Sequence, residues 1–91
     1  MITSIQIDRC IAVARRYGAR QLVLFGSAAD DPSTARDIDL ICDGVEPSLF
    51  FEMAGMIEHE AGVMVDVLPA KPMNKFVEVN LKRGQVIYET Q

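Results

Sequence analysis

Ninety-one residues with a formal net charge of −4, 49% hydrophobic and 24% charged, describe an ordinary globular chain with room for one domain over 1–91. The acidic balance argues against direct binding of duplex nucleic acid, which calls for a basic face. Two isolated cysteines, Cys10 and Cys42, form neither a zinc pattern nor a disulfide framework and read as free core thiols of a cytoplasmic protein; no apolar run approaches the ~18 residues that would mark a membrane span.

Thr3 and Gln6 stand at capping-box spacing, and Ile7, Cys10, Ile11, Ala14 and Tyr17 recur at steps of three and four, so the chain opens on an amphipathic helix that Gly18 stops. Gln21 to Phe25 is an almost wholly apolar run broken by Gly26-Ser27, which reads as a strand covered on both faces. Ala28 to Arg36 is polar and holds Asp30-Asp31-Pro32-Ser33, which gives a short turn of helix and a loop. Asp37 to Cys42 is a second strand closed by Asp43-Gly44. Pro47 and Ser48 start a helix with Leu49, Phe50, Met53, Ile57 and Ala61 on its buried side and Gly62 at its end. Val63 to Leu68 is a third strand, halted by Pro69. A last helix runs from about Pro72 to Arg83 with Met73, Phe76, Val77 and Leu81 inward, and Val86-Ile87-Tyr88 adds a short edge strand. Helices alternating with buried strands predict an α/β (α+β) layer architecture.

The chemistry is concentrated in the strand acids. Side chains at i and i+2 leave the same face of a strand, so Asp37 and Asp39 point together while Ile38, Leu40 and Ile41 face the core. Two neighbouring carboxylates repel, and a divalent cation is the simplest occupant between them. Mg²⁺ takes one or two carboxylates and completes its octahedron with water and phosphate oxygens. Asp66 is the one charge in the third strand; if that strand neighbours the second, three carboxylates converge, the donor count of a two-metal phosphoryl-transfer site. Each piece alone has a blander meaning, a solvated strand face or a plain turn. Their joint order points to metal–nucleotide chemistry.

Leu24-Phe25-Gly26-Ser27, Asp37-Ile38-Asp39-Leu40 and Val65-Asp66-Val67 together resemble the minimal nucleotidyltransferases (MNT) of the DNA polymerase β superfamily, over nearly the whole chain. The resemblance implies a small mixed β-sheet flanked by helices. It implies that Gly26 and Ser27 hold the β- and γ-phosphates of ATP, a role that suits backbone N–H groups at a turn opening a helix. It also implies that Asp37 and Asp39 bind Mg²⁺, and that Asp66 completes the site of the ion that activates the attacking hydroxyl. Small members of the family are often antitoxins encoded beside a helical HEPN toxin, some of them placing AMP on a toxin tyrosine. Larger relatives use a second domain to bind base and acceptor; for these 91 residues a HEPN-type partner is expected to supply the acceptor, and self-association stays open.

Family members commonly have one residue more than the nine between Ser27 and Asp37, and a basic stretch where this chain reads Ala28-Ala29-Asp30-Asp31. Arg36, just before the acid pair, is the cation that could compensate. The rival reading is therefore a catalytically weak or inactive module of the same fold that silences its partner by occlusion, and a transferase acting on a small molecule is a third, weaker one. His59 and the cations Lys71, Lys75, Lys82 and Arg83 read as solvated, and Met53, Met56 and Met64 as core filler. Phe50 and Phe51 cannot both face inward on one helix, so one is expected to be exposed as a partner contact.

Overall fold

Residues 1–90 are described by a computed structural model. Helix α1 spans Ser4–Arg16 and starts with the expected capping box: the Gln6 N–H donates to Thr3 Oγ1 at 3.2 Å, and the Thr3 N–H donates to Gln6 Oε1 at 2.9 Å. Strand β1, Gln21–Phe25, runs into a one-turn helix α2, Ser27–Asp30, through Gly26. Strand β2, Ile38–Asp43, leads to helix α3, Pro47–Ala61, with Pro47 in its first turn and Gly62 closing it at φ 72°. Strand β3, Val65–Pro69, helix α4, Lys75–Arg83, and strand β4, Gln85–Glu89, follow.

The four strands form one mixed sheet in the order β3-β2-β1-β4. β1 pairs antiparallel with both β2 and β4, and β2 pairs parallel with β3 through the α3 crossover. This is the predicted mixed sheet flanked by helices. Both central strands are buried on two faces, as an unbroken apolar run requires. One face carries Leu22, Leu24, Ile38, Leu40, Cys42 and Val65 and packs under α1 and α3 through Cys10, Val13, Met53 and Ile57. The other carries Val23, Phe25 and Ile41 and is covered by α4 through Val77 and Leu81.

That second face corrects several sequence expectations. Ile41 is buried, but beneath α4 on the face opposite Leu40, because the strand alternates strictly. α4 begins three residues later than expected, where Asn74 accepts the Val77 N–H at 2.9 Å and caps it. Met73 consequently stays outside the helix and exposed; Phe76, within α4, is exposed too, as are Met56, Met64 and Leu49, while Met53 is fully buried. Of the phenylalanine pair on α3, Phe51 is the exposed one at 89%. Both cysteines are buried and unpaired, and burial pushes each thiol up to about 11. Among the described residues, no helix is long and apolar enough to cross a membrane.

Candidate functional site

Strand pairing decides where the acids go. In the parallel β2–β3 register Asp39 lies directly beside Asp66, and in the antiparallel β1–β2 register it lies directly beside Phe25, the residue that ends β1. Asp39 alternates with the buried Ile38 and Leu40, so its carboxyl emerges on the α4 face near the strand's first residues, past the cover that α4 gives Ile41. Asp37 sits one residue before β2, and both Asp37 and Asp66 are exposed while Asp39 is half-buried. Desolvation raises the Asp39 pKa above the ordinary carboxylate value, and the charges of Asp66 and then Asp37 push it the same way. Asp39 therefore feels the charge of both neighbours.

The Gly-Ser turn joins this corner. Gly26 has φ 71°, a region that side chains avoid, and a Cβ on it would lie 2.6 Å from Asp39 Oδ2. Glycine is thus required twice, for the backbone angle and for the approach of the turn to the Asp39 carboxylate. Ser27 opens α2, where the first N–H groups of a helix have no carbonyl of the preceding turn to bond. Arg36 is exposed next to Asp37, and among the described residues no carboxylate oxygen lies within 4 Å of its guanidinium.

The loop acids behave differently from each other. Asp31 Oδ1 accepts the Ser33 N–H at 3.1 Å and the Ser33 hydroxyl at 2.6 Å, and Oδ2 accepts the Thr34 hydroxyl at 3.2 Å. Those bonds hold its carboxyl below the usual range and commit it to the loop's own turn. Asp30 is exposed on α2.

The donor set of Asp37, Asp39 and Asp66 is all oxygen and mutually repelling, which fits a hard divalent cation. Among the described residues no group of three or more His, Cys, Asp or Glu side chains is arranged to hold a metal ion as it stands. A cavity of about 670 Å³ lies elsewhere: Cys42, Asp43, Pro69 and Ala70 line it, at the ends of β2 and β3 opposite the acids, together with Phe50 and Phe51. The acid corner is instead an open sheet end. Its flank carries one residue that the sequence pattern hid: Phe76, assigned inward by its place in the α4 stripe, is exposed and packs against Phe25. Only the tertiary position of α4 reveals it.

A four-stranded mixed sheet with helices on both faces is the fold of this chain. Solved toxin–antitoxin structures share it. One crystallised with AMP-PNP has a TM-score of 0.76 at 18% identity, covering 92% of this chain and 73% of its own. The MntA-HepT toxin–antitoxin has a TM-score of 0.74 at 16% identity, covering 98% and 74%. A Shewanella oneidensis tri-AMPylated HEPN toxin in complex with MNT antitoxin has a TM-score of 0.72 at 17% identity, covering 94% and 71%. No protein-family model and no curated protein sequence matches the chain. At such identities the likeness is one of fold.

Proposed function

We propose that this chain is an MNT-type antitoxin: a Mg²⁺-dependent nucleotidyltransferase that moves AMP from ATP to a HEPN-type partner protein. The observation that carries the proposal is the closure of Gly26 onto the Asp39 carboxylate, with Asp66 beside it in register. The glycine turn and the three acids then share one corner of the sheet. Structural neighbours solved with AMP-PNP and with an AMPylated toxin support the choice of nucleotide and acceptor.

In this reading Asp37, Asp39 and Asp66 hold the metal, and Gly26 and Ser27 offer backbone N–H groups to the β- and γ-phosphates. Arg36, with no carboxylate oxygen of the described residues within 4 Å, adds positive charge next to Asp37 in the chain. Bound Mg²⁺ would neutralise the clustered carboxylates, polarise the triphosphate and lower the pKa of the acceptor hydroxyl. The acceptor hydroxyl loses its proton to solvent, its oxygen attacks the α-phosphorus in line, a new O–P bond forms, the bond to the bridging oxygen breaks and pyrophosphate leaves. The protein's part is positioning and charge placement. The Asp31 bonds within the loop turn that carboxylate toward Ser33 and Thr34 and keep it ionised there.

Calorimetric titration of Mg·ATP into wild type and Asp39→Asn tests this. The expected result is binding that needs the metal and disappears in the variant. A second reading, occlusion of the partner by an inactive site, is favoured by the acidic Asp30-Asp31 stretch, whose Asp30 is exposed on α2 just after the Gly26-Ser27 turn. It predicts that Asp39→Asn still protects cells expressing the toxin, whereas the transferase predicts that protection fails.

A further inference from the structure

We propose that Phe76 is the platform on which the base of the nucleoside triphosphate stacks; the inference rests on the nucleotidyltransferase reading of the acid corner. The placement comes in two neighbour steps. Phe25 and Asp39 are cross-strand partners with their side chains on the same face, Cβ atoms about 4.5–5.5 Å apart. The Phe76 ring meets the Phe25 ring edge-to-face, with centroids 5.9 Å apart and planes at 80°. Phe76 therefore stands one aromatic ring beyond the acids and the Gly26-Ser27 turn. A nucleoside has that kind of span between its phosphate-bearing carbon and its base.

Phe76 is also the aromatic left free there. A T-shaped contact covers at most one face of a ring, and Phe76 is 56% exposed. The other aromatics are occupied or elsewhere. Phe25 is buried, Tyr17 donates its hydroxyl to Glu52, and the Tyr88 ring lies under the Arg15 guanidinium. Phe50 and Phe51 line the cavity at the opposite end of the sheet. The first turn of α4 is held by the Asn74 cap and by the Asn80 amide, which donates to the Phe76 carbonyl at 2.9 Å. A ring on a fixed turn stacks with little ordering left to do. Every base offers a π-face, so the platform selects for the presence of a base more than for its identity.

The test titrates Mg·ATP and Mg·tripolyphosphate, a ligand with no base, into wild type, Phe76→Ala and Phe76→Trp. The chain has no tryptophan, so Phe76→Trp carries a single reporter indole. The expected result is that Phe76→Ala weakens ATP about 5- to 150-fold while tripolyphosphate binding is unchanged. Phe76→Trp retains ATP affinity, and its emission shifts on ATP addition but not on tripolyphosphate. Unchanged ATP affinity in Phe76→Ala, with both ligands bound by wild type, overturns the platform and leaves the triphosphate site standing. Equal loss of both ligands in Phe76→Ala also overturns it. Wild type that binds neither ligand overturns the platform together with the reading it rests on.

Discussion

Asp39 is the residue on which the corner turns, and its raised pKa has a consequence for stability. Its carboxyl is destabilised as an anion in the folded state, by desolvation first and by Asp66 and Asp37 next. A folded pKa above the unfolded value means that the folded protein binds the proton more tightly. The resulting penalty is present at neutral pH and is relieved as pH falls through the folded pKa toward the unfolded one. In metal-free buffer, Asp39→Asn should therefore melt at a higher temperature than wild type at pH 7. That advantage should shrink as pH approaches the ordinary carboxylate value of 3.8. Thermal melts with a chelator across this range check the sign; a destabilised variant at pH 7 would show that the carboxylate is held by favourable contacts instead. Gly26 is the companion case, since the same carboxylate occupies the space a side chain would need.

At the scale of elements, the helices differ in how much their own sequence decides. α1 has its start written locally in Thr3 and Gln6, and Gln6 Nε2 also donates to the Ala61 carbonyl at 3.3 Å, tying the start of α1 to the end of α3. Thr3→Ala should cost about 1 kcal/mol of unfolding free energy, measurable by urea denaturation, because it leaves the Gln6 N–H without its side-chain acceptor. α4 is less legible. The apolar residues at 73, 76, 77 and 81 look in the sequence like one inward stripe, yet α4 starts only at 75, Val77 is buried, Leu81 partly so and Phe76 mostly open. A nine-residue helix lying across two strands covers only a narrow strip of sheet. Periodicity marks which residues are apolar on one side; it does not say how wide the surface beneath them is.

For the whole molecule, one sheet carries a core on each face, and this arrangement leaves its acid-bearing end open. Leu40 and Ile41 are adjacent in β2 and enter opposite cores, both essentially without exposure. Leu40→Ala and Ile41→Ala should each lower unfolding free energy by about 2–5 kcal/mol in urea denaturation. That is a large part of the roughly 5–15 kcal/mol a domain has. A change within about 0.5 kcal/mol for Ile41→Ala, as at a surface site, would mean that α4 does not seal its face. The two ends of the sheet are equally distinct. Acids and the glycine turn gather where β1 ends and β2 and β3 begin, while the 670 Å³ cavity opens where β2 and β3 finish.

The sequence by itself determined the elements and their order, because strand and helix periods, the Thr3 cap and the glycine and proline stops are local signals. It also singled out Asp37, Asp39, Asp66 and the Gly26-Ser27 turn, since a charge inside an apolar strand stands out without any knowledge of partners. The tertiary structure alone decided that β3 lies beside β2 with Asp66 opposite Asp39, that Gly26 closes on that carboxylate, and that Phe76 remains open beside Phe25. Strand pairing and helix placement join residues far apart in the chain. Their register is set by which faces bury best against each other, a property of the assembled layers that no local window contains.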